Sequence, residues 1–182
     1  MKHALVAGGT GMLAGVSLWL LEKGYHVSVI ARNPERMEQL IEKTNFKNNL
    51  TPVLVDYRNS EELQAHVNAA IKKNGPIDLV VAWIHSDAPD ALTVIINAIN
   101  ANREQWKLFH ILGSSANIKK IRRKVPVPHG CTYYQVQLGF IIENGRSRWL
   151  THEEIAGGVI TAIQRKKPIY TIGQLEPWEQ RP

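Results

Sequence analysis

Between an apolar run, Lys2–Ala7, and an amphipathic stretch, Met12–Lys23, the chain reads Gly8-Gly9-Thr10-Gly11-Met12-Leu13-Ala14-Gly15. A tight strand-to-helix turn needs residues without a β-carbon. The same lack of side chains lets the backbone approach a pyrophosphate, whose charge meets the free N–H groups of the helix start. Gly8, Thr10, Gly11, Met12 and Leu13 therefore form a candidate dinucleotide cradle; the other reading is a turn that only packs the helix on the sheet. No Lys-Ser/Thr pair follows the glycines, which excludes a triphosphate-binding P-loop.

The end of the next strand selects the cofactor. Ile30-Ala31-Arg32-Asn33 offers no acid for a ribose diol before Glu35. Arg32 instead presents a guanidinium fork suited to a 2′-phosphate, with Asn33 and Arg36 beside it. The expectation is NADP(H) rather than NAD(H), against a solvated arginine at a helix start.

Further candidates lie at strand ends. Ser114 and Ser115 would either hydrogen-bond a substrate carbonyl or satisfy amides of their own turn. His85 follows the fourth strand, at the edge where open α/β sheets bind ligands, and could donate a proton near neutral pH; its alternative is an ordinary loop residue. Ala82 and Trp83 either wall the cleft or fill core. Tyr133 is a candidate acid, or packing on the sheet. Lys119-Lys120-Ile121-Arg122-Arg123-Lys124 reads as a solvated basic loop, or as a lid whose cations meet a phosphate or an anionic substrate. No aromatics interleave with it, so nucleic acid is not an expected partner.

The elements that must position these residues alternate. Apolar runs at Lys2–Ala7, His26–Ala31, Leu50–Asp56, Ile77–Trp83 and Trp106–Leu112 read as strands. Between them lie helical stretches. Met12–Lys23 ends at Gly24, and Asn33-Pro34 opens a helix to Lys43. Ser60-Glu61-Glu62-Leu63 opens another, which stops at Asn74-Gly75-Pro76, and one capped by Asp87 or Asp90 runs to Asn100. Pro52 suggests an edge position for its strand. Asn117–Gly130 reads mostly as loop. Cys131–Ile142 reads as one strand with Gly139 as a bulge. Asn144-Gly145 signals a hairpin turn into Ser147–Leu150. Thr151-His152-Glu153-Glu154 is a capping box for a helix to Lys166, Pro168–Ile172 is a last strand, and Leu175–Pro182 is a polar tail. The prediction is one α/β domain over residues 1–182, a doubly wound parallel sheet of about seven strands with helices on both faces.

Composition agrees with such a domain: 182 residues, 44% hydrophobic and 21% charged. The single cysteine, Cys131, excludes an intramolecular disulfide framework or a multi-thiolate zinc site. The seven histidines lack metal-ligand spacing, so no metal is expected. The apolar runs are too short to span a membrane, and Met1–Ala7 is too short for a signal peptide, which suggests a reduced, cytoplasmic protein. The net charge of +6 allows anionic partners without naming one.

Together these residues resemble the short-chain dehydrogenase/reductase superfamily, an atypical and truncated member with a Rossmann-like fold. Gly8, Gly11 and Ala14 match its glycine spacing. Asp56, with Tyr57 beside it, matches the acid that contacts the adenine amino group. Gly113-Ser114-Ser115 resembles the segment carrying the catalytic serine, Leu138-Gly139-Phe140 the segment near the nicotinamide, and Arg148–Thr151 the closing segment. The chain departs from the family at its tyrosine and lysine, which lie four apart on a helix after the serine strand. Here Tyr133 is followed at that spacing by Gln137, in a segment that reads as strand. The helix bearing the pair is therefore expected to be missing or replaced by the basic loop. The resemblance implies an NADP(H)-dependent oxidoreductase acting on a small molecule, forming a homodimer or homotetramer. The alternative is an inactive NADP(H)-binding sensor or regulator.

Overall fold

The computed structural model describes residues 1–182. Seven strands form one sheet: β1 (His3–Ala7), β2 (His26–Ala31), β3 (Leu50–Leu54), β4 (Leu79–Ala82), β5 (Trp106–Leu112), β6 (Cys131–Leu138) and, at the far edge, β9 (Ile169–Ile172). β7 (Phe140–Glu143) and β8 (Arg146–Trp149) make a separate antiparallel hairpin. The sheet runs β3-β2-β1-β4-β5-β6-β9, with every pair parallel. This is the doubly wound, Rossmann-like architecture expected, and its strand order reverses at β1.

Parallel strands covered on both faces should be apolar throughout, and β1 and β4 are wholly buried. Three helices, α1 (Ala14–Glu22), α2 (Pro34–Glu42) and α6 (His152–Arg165), cover one face. The other carries α3 (Ser60–Asn74), α4 (Ala91–Asn100) and the short α5 (Ile118–Lys124). Pro52, which cannot donate to a ladder, sits on the edge strand β3.

The helix ends follow local chemistry. Asn33 accepts the Arg36 amide at 3.1 Å, with Pro34 in the first turn. Thr151 and Glu154 close the reciprocal box that starts α6. Arg148 adds ion pairs to Glu143 at 2.9 Å and Glu154 at 2.7 Å, tying the hairpin to that helix. Asn144 and Gly145 both have positive φ, 54° and 74°, as a type I′ turn requires.

Three expectations are corrected. The segment read as loop contains α5, which is started by Asn117 accepting the Lys120 amide at 3.0 Å. Its last turn holds Arg122, Arg123 and Lys124, where cations suit the helix dipole. Second, Gly139 is not a bulge within a continuous strand. The chain leaves the β6–β9 ladder there and Phe140 pairs instead with Gln174, so close that a β-carbon on Gly139 would lie 2.3 Å from the Gln174 carbonyl oxygen. α1 also begins two residues later than expected, at Ala14, after a turn over Gly8–Leu13.

Candidate cofactor cleft

β1, β2 and β4 end level, Ala7 pairing with both Ile30 and Ala82. The glycine turn thus emerges at the reversal of strand order, the usual ligand position in open α/β sheets. Gly8 has φ of 89°, which favours glycine. Its carbonyl accepts the amides of Gly11 at 3.3 Å and Leu13 at 3.4 Å, and Gly11 in turn accepts Ala14 at 3.0 Å. The amides of Thr10 and Met12 have no backbone acceptor. A β-carbon on Gly11 would meet nothing closer than the Gly8 oxygen at 4.0 Å. The turn therefore offers unpaired donors above open space, and it fits a diphosphate group.

The ends of β2 and β3 collect charge. The Arg32 side chain is 70% exposed, and its guanidinium lies 3.8 Å from Asp56. Arg58 binds Asp56 more closely: its backbone amide donates at 3.1 Å and its guanidinium at 2.6 to 3.2 Å. Those hydrogen bonds hold the Asp56 carboxyl down to about 2. Arg58 also approaches Asp87 at 3.7 Å. Sequence reasoning missed Arg58; its spacing of two from Asp56, beyond a strand end, is the signal available. Asn33 spends its side-chain oxygen on capping, while Arg36 is exposed. Tyr57 accepts the His85 amide at 3.1 Å, joining the loops after β3 and β4.

Trp83 crosses the middle of the cleft. A β-carbon on Gly8 would lie 3.4 Å from Trp83 Cβ, and one on Gly113 would lie 3.8 Å from the far edge of its indole. The ring therefore reaches from the glycine turn to the serine turn. Ala82, behind it, is fully buried. His85 is exposed and meets the indole edge-on, with ring centroids 5.9 Å apart.

Ser114 is half-buried and Ser115 exposed after β5. Their turn is held by Gln137, not by either hydroxyl. Gln137 Nε2 donates to the carbonyls of Gly113 at 3.1 Å, Ser114 at 3.3 Å and Ala116 at 3.1 Å. In the sequence, Gln137 is conspicuous only as the residue at the position where the family has its lysine. Gly139 closes the same sheet edge at the end of β6.

Tyr133 lies apart from this cleft. It pairs with Leu108 near the start of β6, about 13 Å from the Gln137 end at ordinary strand rise. It is buried, its hydroxyl is 2.7 Å from His110 Nδ1, and Arg122 lies over its ring at 5.5 Å. Burial pushes its pKa up to about 12 and that of His110 down to about 4. The pair is thus a neutral, dry hydrogen bond beneath α5. Where the resemblance placed a helix carrying tyrosine and lysine, between β5 and β6, the chain has this seven-residue basic helix.

Residues 2–83 match the family model described as short chain dehydrogenase. No curated protein matches the sequence. Among solved structures, an alcohol dehydrogenase from the archaeon Thermococcus sibiricus, complexed with 5-hydroxy-NADP, is 14% identical with a TM-score of 0.72; the match covers 100% of this chain and 99% of that one. A variant short-chain dehydrogenase/reductase of Serratia marcescens is 17% identical at 0.72, over 96% and 97%. A variant actinorhodin polyketide ketoreductase with NADPH is 15% identical at 0.67, over 94% and 95%. At these identities the likeness establishes the fold. No helix is long and apolar enough to cross a membrane.

Proposed function

This chain resembles the short-chain dehydrogenases/reductases in fold throughout and in sequence over residues 2–83, and from that premise we propose that it is an NADP(H)-dependent oxidoreductase of small molecules. One observation carries the reading: the open glycine turn with the unpaired amides of Thr10 and Met12, at the end of β1 next to the β2 end that bears Arg32, with Arg58 in the loop after β3. NADPH, when bound, supplies the hydride. The glycine turn holds the diphosphate, while Arg32, with Arg36 and Arg58, neutralises the 2′-phosphate. Asp56, kept ionised by Arg58, accepts from the adenine amino group. Trp83 walls the cleft against water. Ser114 and Ser115 present hydroxyls to a polar atom of the substrate, and Gln137 fixes where they stand. His85 holds a proton at the rim, on a ring nitrogen. Without a tyrosine–lysine pair, the site suits an easily reduced acceptor such as an imine, a quinone or a flavin-like ring.

The test is a fluorescence titration with NADPH and NADH, followed by NADPH oxidation against carbonyls, imines and quinones, with Gly11→Asp as control. A β-carbon at Gly11 clashes with nothing, so the variant folds while its carboxylate repels the diphosphate. Expected are tighter NADPH than NADH binding and turnover above the control. Tighter NADH binding overturns the cofactor choice. NADPH binding with no turnover on any acceptor overturns the enzyme in favour of a sensor.

A further inference from the structure

The other end of the sheet, where β1, β4, β5 and β6 begin, holds an open groove of about 1010 Å³, at the upper end of the range for small-molecule sites. Three lysines from distant parts of the chain line it. Lys2 precedes β1, Lys107 lies at the start of β5, and Lys166 caps α6 in the left-handed conformation. None of them forms an ion pair. The acid beside them, Asp78, is already engaged: one oxygen takes Arg103 at 2.5 Å and the other accepts the His3 amide at 2.9 Å. Glu104 also lines the groove, so two acids face four cations there. Partial burial, then Lys166 and then Lys2, push the Lys107 pKa down, so the ammonium groups are close enough to repel one another. Trp106 in the wall contributes a second oddity. Its indole nitrogen is the one buried side-chain polar atom lacking a hydrogen-bond partner.

Crowded like charges cost free energy that a bound polyanion recovers, and lysine ammoniums suit tetrahedral phosphate oxygens from several directions. Tyr25 flanks the groove with an aromatic ring. We propose that this groove binds a phosphate-bearing small molecule carrying at least two negative charges, at a site separate from the cofactor cleft. The proposal does not depend on the reading of that cleft.

The experiment is calorimetric titration with inorganic pyrophosphate. Gly11→Asp serves as the parent, so that the glycine turn does not contribute. Saturable one-to-one binding is expected, weakened about tenfold or more when Lys107→Gln and Lys166→Gln are added. The matching Lys107→Arg/Lys166→Arg variant keeps the charge and should keep the binding, which separates charge from folding. In the otherwise unaltered protein, Lys107→Gln/Lys166→Gln should leave NADPH affinity unchanged. No pyrophosphate binding by Gly11→Asp, or equal binding with and without the two lysines, overturns the proposal. Tighter citrate than pyrophosphate binding overturns the assignment to phosphate.

Discussion

Replacing Gln137 with methionine keeps the length of a side chain that is only 4% exposed, and removes its amide. Three carbonyls lose a donor, but one NH2 group has two hydrogens, so at most two full hydrogen bonds are lost together. At roughly 1 kcal/mol net each, the loss is about 2 kcal/mol. It stays near that figure because Gly113, Ser114 and Ala116 are all half-buried and water can reach their carbonyls. For a domain of this size, that corresponds to a melting temperature lower by about 4–8 °C. The larger consequence is positional. Freed from its staple, the serine turn drifts, and displacements of about 1 Å at reacting groups cost tenfold or more in rate. The glycine turn follows β1, three strands from β6, so NADPH affinity should not change. Differential scanning calorimetry and steady-state kinetics on the same preparation supply both readouts. A variant that melts within about 1 °C of the parent, with unaltered turnover, would refute the view that Gln137 holds the serines in place.

Gly139→Ala drives a methyl group into the backbone oxygen of Gln174, and thermal melting should show a loss of about 2 kcal/mol or more. Arg32→Ala removes a cation from the proposed 2′-phosphate subsite; NADPH binding should weaken roughly tenfold or more while NADH binding barely moves, as read by fluorescence titration. Arg58→Ala frees the Asp56 carboxylate, so a chemical-shift titration should find that group rising from about 2 towards its ordinary value, and an unchanged value would refute the pairing. Acid stability should report on His110, whose pKa falls from an ordinary 6.5 to about 4 on folding. Above pH 6.5 the imidazole is neutral in both states. Between 6.5 and 4 only the unfolded chain takes up the proton, so stability drops by at most about 1.4 kcal/mol per pH unit. Urea melts of His110→Gln should show a shallower fall over that window, although His3, also lowered by burial, still contributes.

Much of the fold is written in short-range signals. Trp106–Leu112 is a strand with the bounds its apolar run indicates, and Asn33-Pro34, Asn144-Gly145 and the Thr151–Glu154 box act as local syntax says they should. The glycine turn is legible for the same reason: its spacing and flanking elements are contiguous. What escapes depends on distant partners. Five cations in six residues mask the helix at Ile118–Lys124, and only the Asn117 cap betrays it. The need for glycine at 139 comes from the backbone of Gln174, which is distant in sequence. Tyr133 looks usable until register places it at the wrong end of its strand, against a histidine from the neighbouring one. The Lys2, Lys107 and Lys166 cluster has no sequence signature, because the sheet alone gathers it.

The sheet separates two apolar cores that share no side chain. α1, α2 and α6 anchor in one; α3 and α4 anchor in the other, and α5, which buries nothing, lies on that same side. The glycine turn is rooted in the first layer through Leu13, whereas Val55 and Tyr57, which flank Asp56, belong to the second. Because α5 anchors in neither core, a lineage could whittle it away, or graft a new helix over β5 and β6, and leave the proposed coenzyme turn as it was.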